Sequence, residues 1–427
     1  MSDNTDRVLV LDTNGQAGLA VVRSLGKRGV SVTAGSNVQR SLGRLSRHSE
    51  DAFQYPEVAA SPQEFVTDLI EFLESRDYFA VVPVADVTTI VMSKHKAEIE
   101  QTGTAVAAAD WELSEQVWDK GRLFALAETL SVPAPKTIAP SSVSEVAATA
   151  SELSYPALVK PRSKITWDDD GQYHRVEVDD TLYADTPDEL VANYRDMLDR
   201  NPFLAAEGHY PLLQEYVEGK TTTTVFLADD GEIKAHFQEE RVRTYPSSGG
   251  NSTLLRPRND DQLLANAVEV IEAVSWTGPG MVEFMETPAG EHTLIEVNGR
   301  YWGSVPFAIN SGVDFPWLHY QQLRGLPIDA PASYQTERLQ QRLVYGDLKW
   351  LLEQLQDGNR TAPFSVLWAS LVGDVTFVSL RDPMPTLETL RQMAALAGRT
   401  ATDELTDLVS RDRLSKTEPR GETRKDL

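Results

Sequence analysis

The sequence predicts an α/β unit built on a parallel sheet, followed by an α+β region and a mixed, mainly helical C-terminal region. Three observations carry this. Short β-branched runs alternate with amphipathic stretches over residues 1–110; strand runs and hairpin turns dominate residues 111–325; residues 326–410 read as mixed helices without a motif. Strict strand–helix alternation implies a parallel sheet covered on both faces, whereas strands without that alternation imply α+β. Residues 411–427 are charged and poor in apolar side chains, and they read as a disordered tail.

In the first unit the strand runs are VLVLD at 8–12, VSVTA at 30–34, AVVPV at 80–84 and AVAAA at 105–109, with an amphipathic stretch at 63–75. The first run leads into TNGQAG at 13–18, where Gly15 and Gly18 mark a tight turn into a helix. A dinucleotide fingerprint needs a third glycine and an acidic residue at the end of the second strand. Ala17 and the run Ala34-Gly35-Ser36 stand there instead, so the turn reads as structural rather than as a cofactor cradle.

Residues 111–130, WELSEQVWDKGRLFALAETL, read as one continuous helix ended by the breaker VPAPKT. Leu113, Val117, Phe124 and Ala127 define its inward stripe, and Lys120 falls on the same stripe. A lysine on a buried stripe needs an anion. After a helix expected near 142–153, Lys160 closes the apolar strand YPALVK and raises the same question. By spacing alone, both lysines are equally compatible with amines that snorkel to solvent.

The most informative segment is MVEFMETPAGEHTLIEVNGRYWGS, residues 281–304. Two strands flank a turn at Pro288-Ala289-Gly290, and Asp229-Asp230-Gly231 marks another hairpin upstream. In a symmetric antiparallel hairpin centred between Ala289 and Gly290, Glu283 lies opposite Glu296. With a side-chain period of two, Glu283, Glu296 and Asn298 share one face, while Val282, Phe284, Ile295 and Val297 take the other. Opposed carboxylates repel. A divalent cation reverses that sign, and one or two carboxylates with an amide, completed by phosphates and water, suit magnesium. The alternative is a solvated polar face with accidental pairing.

Composition limits the partners. There are no cysteines, which excludes disulfides, thiolate metal sites and a cysteine nucleophile. A net charge of −24 repels nucleic acid and anionic lipid. Such acidity fits either a halophilic adaptation or an ordinary acidic enzyme. No apolar run approaches the roughly 20 residues that span a bilayer, and the polar start MSDNTDR does not resemble a signal peptide. A cytoplasmic location is therefore expected.

Taken in order along the chain, these residues resemble the ATP-grasp superfamily, nearest to its carbamoyl-phosphate synthetase and biotin carboxylase type, over residues 110–325. The segment IEVNGRYWGS carries the most specific likeness. The resemblance implies that Glu283, Glu296 and Asn298 hold one or two Mg2+ ions, with Mn2+ able to replace them, and that Lys120 and Lys160 contact the ATP phosphates. LLQEYVEG at 212–219 resembles the hinge strand that meets adenine, with Gln214 or Glu215 near the amino group and the backbone of Tyr216 and Val217 on the ring edge. Arg300 would stabilise charge on the transferring phosphoryl group. EERVRTYPSSGGNST at 239–253 resembles a loop over the substrate in some members, with Arg241, Arg243 and the Gly249-Gly250 pair as a mobile anion clamp; a plain surface hairpin loop is the other reading.

Two departures stand out. PRSKITWDDDGQYHRVEVDD is long and acidic where many members carry a glycine-rich lid, and Thr221–Thr224 stand where many carry a ribose-binding acid. The implied activity is an ATP- and Mg-dependent ligase that activates a carboxylate as an acyl phosphate for attack by an amine or similar nucleophile. Its partners would be those small molecules, with neither nucleic acid nor membrane, and a homodimer is allowed. Two alternatives stay open: an NAD-dependent oxidoreductase built on the first unit, and an ATP-binding regulatory module without catalysis.

Overall fold

The computed structural model describes residues 6–167, 172–178, 183–206, 209–246, 251–341, 346–375 and 378–395. The Gly249-Gly250 pair and the expected tail at 411–427 lie outside the described residues. The chain divides into two compact units, Met1–Thr376 and Phe377–Leu427, and within the second, residues 383–395 are helical.

The first sheet contains β1 (Arg7–Val10), β2 (Ser31–Ser36), β3 (Asp51–Gln54), β4 (Ala80–Val82) and β5 (Ala105–Val106), all parallel, in the order β3-β2-β1-β4-β5. β3 gave no signal in the pattern because DAFQ buries only Phe53. In open sheets of this kind ligands sit where the strand order reverses, beyond the strand ends. Here protein fills that crevice. Asp12, in a left-handed conformation at φ 58, accepts from the N–H groups of Val84 and Ala85 at 3.0 and 2.8 Å and from the Thr88 hydroxyl at 2.8 Å. Gln16, at the start of the following helix, donates to the Gly303 carbonyl. A Cβ on Gly18 would lie 2.6 Å from the Asp12 carbonyl oxygen, so the turn needs glycine to let the helix approach.

The next strands are β6 (Thr137–Ile138), β7 (Ala157–Lys160), β8 (Ile165–Trp167), β9 (Tyr173–Arg175), β10 (Tyr183–Ala184) and β11 (Leu212–Glu215). β10-β7-β11-β6 form a small antiparallel sheet, backed by Leu190, Tyr194 and Met197 of the helix Pro187–Arg200; β8 and β9 pair separately. The large sheet holds β12 (Lys220–Asp229), β13 (Glu232–Tyr245), β14 (Asn251–Arg258), β15 (Gly278–Glu286), β16 (His292–Asn298), β17 (Gln340–Gln341) and β18 (Asp374–Val375), in the order β16-β15-β12-β13-β14-β17-β18. Its two predicted turns hold residues in positive φ, at Asp230, Gly231 and Gly290. The region after residue 326 is therefore not only helical: besides helices Leu348–Gln356 and Ala362–Val372 it adds two short strands to the sheet.

Alternation along these strands creates two apolar faces. Val225, Leu227, Phe237 and Met281 pack with Val8, Val10 and Val32 of the first sheet, so this core runs across residue 110. Phe226, Val282, Phe284, Leu294 and Val297 pack on the other side with Leu123, Ala127 and the helix Asp261–Ala273. Thr222, Thr223 and Thr224 are buried in β12 at the middle of the sheet.

The continuous helix expected over 111–130 is instead two helices, Trp111–Trp118 and Lys120–Ala127, separated at Asp119. Asp119 is extended, with ψ 107, and its Oδ1 accepts from the N–H groups of Gly121 at 2.7 Å and Arg122 at 3.3 Å. An aspartate that caps a helix start competes with the helix interior. A one-residue break leaves the apolar period intact, which is why the pattern hid it. Lys120 thus opens a helix rather than lying on a continuous buried stripe, and its N–H donates to the Arg162 carbonyl at 2.9 Å.

Candidate active site

β16 is an edge strand of the large sheet, and the site forms there. Met281, Val282 and Glu283 pair with Asn298, Val297 and Glu296, as hairpin symmetry predicts. A bulge beyond Glu283 then shifts the register so that Phe284 faces Leu294. This corrects the expected face of Ile295: Leu294, not Ile295, joins Val297 on the apolar side. The bulge also leaves the Ile295 carbonyl on the open edge, where it accepts from Lys160 Nζ at 3.4 Å.

Most of the predicted residues meet here. Asn298 Nδ2 donates to Glu296 Oε1 at 2.9 Å and to Glu283 Oε1 at 3.4 Å. Arg241 NH2 donates to Glu283 Oε2 at 2.6 Å, and Lys120 Nζ lies 3.3 Å from Glu296 Oε2. Lys160 Nζ donates to Gln214 Oε1 at 3.1 Å, which joins the hinge strand to the cluster. Arg300 pairs through Nε with Asp86, and its NH2 donates to Asn298 Oδ1 at 3.3 Å.

Other predicted residues are placed elsewhere. Arg243, two positions from Arg241, would share its face in a regular strand, but register shifts on both sides of Arg243 break the alternation. Its guanidinium is buried 3.4 Å from Asp347 and beneath the Trp350 ring, so it is not part of this cluster. Glu215 Oε1 accepts from the Ser154 N–H at 2.8 Å, and the Tyr216 N–H donates to the Pro156 carbonyl at 3.1 Å. Those two hinge groups are already engaged by the small sheet, and Val217 follows half-buried.

Electrostatics separates the two carboxylates. Burial pushes the Glu283 carboxyl up and the Glu296 charge adds to this, against the Arg241 guanidinium. Burial would raise Glu296 too, but Lys120, the Asn298 hydrogen bond, Lys164 and Lys160 hold it well below the usual carboxylate range. Opposed like charges in unequal surroundings divide in this way. Lys160 is itself lowered to about 8, first by burial and then by the Lys120 charge, with Glu296 and Glu283 opposing.

The donor set fits magnesium. Among the described residues no three His, Asp or Glu side chains are grouped to hold a metal by themselves. Two carboxylates and one amide form the sparser oxygen set that magnesium takes when phosphates and water supply the rest. The Asn298 amide now turns its nitrogen to the carboxylates and its oxygen to Arg300. A cation between the carboxylates calls for that amide to turn over.

Sequence reasoning missed three contributors. Asp86 starts the helix Asp86–Lys94 just beyond β4, at the strand end where open sheets place functional groups; that position was the available signal. Lys164 lies 4.0 Å from Asp86, and its charge acts on both glutamates. Trp118 joins Asp86, Lys120, Lys164, Glu296 and Asn298 around a small recess.

No family model matches the chain. Among curated proteins, the multifunctional protein pyr-3 of Neurospora crassa is 24% identical over 241 residues, covering 54% of this chain and 12% of that protein. The carbamoyl phosphate synthase large chain of Thermotoga neapolitana is 23% identical over 259 residues, 59% of this chain and 22% of that one. The chain thus spans less than a quarter of the length of these relatives. Among solved structures, Campylobacter jejuni biotin carboxylase, in a β,γ-ATP complex, superposes with a TM-score of 0.62 at 13% identity, covering 78% of this chain and 74% of that one. The biotin carboxylase domain of Hydrogenobacter thermophilus 2-oxoglutarate carboxylase, solved with MgADP and bicarbonate, gives 0.61 at 17% identity, covering 78% and 73%. The L-amino acid ligase of Bacillus licheniformis gives 0.57 at 13% identity, covering 76% and 75%. The chain has the ATP-grasp fold, and carbamoyl phosphate synthase and biotin carboxylase proteins are among those it resembles.

Proposed function

We propose that the protein is an ATP- and Mg-dependent ligase that activates a carboxylate as an acyl phosphate and transfers the acyl group to an amine or similar nucleophile. One observation carries this reading: Glu283, Glu296 and Asn298 converge at a sheet edge with Lys120, Lys160 and Arg300 around them. Magnesium would supply charge neutralisation between the carboxylates and the phosphates. Lys120 and Lys160 would bind phosphate oxygens. Arg300, steadied by Asp86, would stabilise the γ-phosphoryl group as a substrate carboxylate oxygen attacks phosphorus and ADP leaves. The nucleophile then attacks the acyl carbon and phosphate departs. The NAD alternative is disfavoured, since Asp12 and Gln16 already occupy the crevice of the first sheet.

ADP release measured with a panel of amino acids, short peptides, bicarbonate and polyamines tests the proposal. Magnesium-dependent release stimulated by a carboxylate supports it. ATP binding without release under any condition would favour the regulatory module instead.

Lys160 makes nucleotide binding pH-dependent. Its folded pKa of about 8 lies below the ordinary 10.5, so the ammonium is lost as pH rises through about 8. ATP affinity is expected to fall above that pH, by at most about tenfold per unit. Fold stability moves oppositely: between the two values the unfolded chain retains a proton that the folded one has released, so this group's contribution rises. Calorimetry from pH 7 to 9 on wild type and Lys160→Met checks this, and an equal slope in both would remove Lys160 from the phosphate site.

If the charge of −24 is a halophilic adaptation, the melting temperature should climb steeply as potassium chloride approaches molar concentration. A flat thermal response would leave an ordinary acidic enzyme.

A further inference from the structure

A second cleft, of about 210 Å³, opens next to the recess at Lys120 and Glu296. Trp118 and Ser163 line both, so the two are adjacent. Three tryptophans, Trp111, Trp118 and Trp167, stand in its walls among polar side chains. Trp111 and Trp167 meet edge to face at 6.0 Å, and Tyr173 meets Trp167 at 5.6 Å. Lys94 Nζ lies 4.3 Å from the Trp167 ring centre, a cation–π contact that fixes this ring of the β8–β9 pair against the first sheet's helices.

The charged groups of the cleft are largely engaged with protein. Arg162 bonds Asp119 at 3.2 Å and the Tyr210 carbonyl at 3.0 Å, while Glu115 pairs with Arg122 at 3.2 Å. Among the described lining residues, one buried side-chain polar atom lacks a partner. Trp118 Nε1 is buried without a hydrogen-bond acceptor, at a residue shared by the cleft and the recess. Buried indole N–H groups ordinarily find a partner. An occupant that satisfies these features has a flat apolar body among the tryptophans, an acceptor oxygen at Trp118 and its anionic end near Lys120. The volume is below the roughly 300 Å³ at which drug-sized pockets begin, which limits the body to about one ring.

We propose that this cleft selects the carboxylate substrate, receiving a small carboxylic acid that carries a single aromatic or comparably flat apolar group, with Trp118 Nε1 donating to its oxygen. This rests on the ligase reading, and binding can be measured apart from turnover. Calorimetry with Mg-AMPPNP present would compare 3-phenylpropanoate and L-phenylalanine with propanoate and L-alanine. The aromatic member of at least one pair should bind at least about tenfold tighter, as burial of a ring predicts.

Trp118→Phe keeps a ring but removes the N–H, and Trp167→Leu removes a wall. Trp118→Phe should weaken both the aromatic acid and propanoate roughly tenfold, since both lose the same hydrogen bond, whereas Trp167→Leu should weaken only the aromatic acid, with thermal melting as the control for folding. Equal binding within both pairs overturns the proposal. So does displacement of the aromatic probe by AMPPNP, which would assign the cleft to the nucleotide. Aromatic preference in binding without ADP release from any carboxylate would sink the ligase reading and keep the cleft; ADP release indifferent to the ring would do the reverse.

Discussion

Glu296→Gln is expected to lower magnesium-dependent turnover by about 10²-fold or more, as for the loss of a charged group from a preorganised site. Glutamine preserves shape and removes the charge that holds Lys120 at 3.3 Å and faces Glu283 across the hairpin. The magnesium concentration needed for half-maximal rate should rise as well. Stability gives a second readout. The folded carboxyl is depressed below its ordinary 4.5, so its ionised form contributes stability that is present above that value and lost as pH falls through the folded pKa. The variant should therefore melt lower than wild type at pH 7, and the two should converge in strong acid. A lower melting temperature with unchanged turnover would make Glu296 a structural carboxylate.

For Arg300→Lys, kcat should fall by about 10²-fold or more while KM for ATP changes little. The planar guanidinium uses Nε on Asp86, NH1 on the Tyr301 carbonyl at 2.6 Å and NH2 on Asn298. Lysine keeps the charge but cannot make this fork. If Arg300 instead contacts phosphate only in the ground state, KM for ATP rises with kcat preserved. Steady-state kinetics at saturating carboxylate separates the two outcomes, and an unchanged kcat ends the catalytic assignment. Asp86→Asn should reproduce part of the kcat loss, because the arginine keeps its charge and loses its anchor.

The local geometry of the candidate site was legible in the chain. Pairing of Glu283 with Glu296 follows from the turn at Pro288-Ala289-Gly290 and the two-residue period of strands. Lys120 and Lys160 stood out because amines beside apolar patterns need an anion, and both lie at the glutamate cluster. Irregularities were not legible. The break at Asp119, the bulge at Ile295 and the register shifts around Arg243 each displace the chain by about one residue, and hydrophobic periodicity tolerates that.

By itself the sequence determined the parallel first sheet, the two hairpins and the composition of the carboxylate cluster, since these depend on residue type at short spacing. Tertiary structure decided what lies far apart in the chain. It joined Asp86 to Arg300 across 214 positions, drew Arg243 to Asp347, and set Trp111, Trp118 and Trp167 around one cleft. No periodic pattern records such pairs, because each depends on how the sheets stack their apolar faces, and that packing is settled only when the whole core closes.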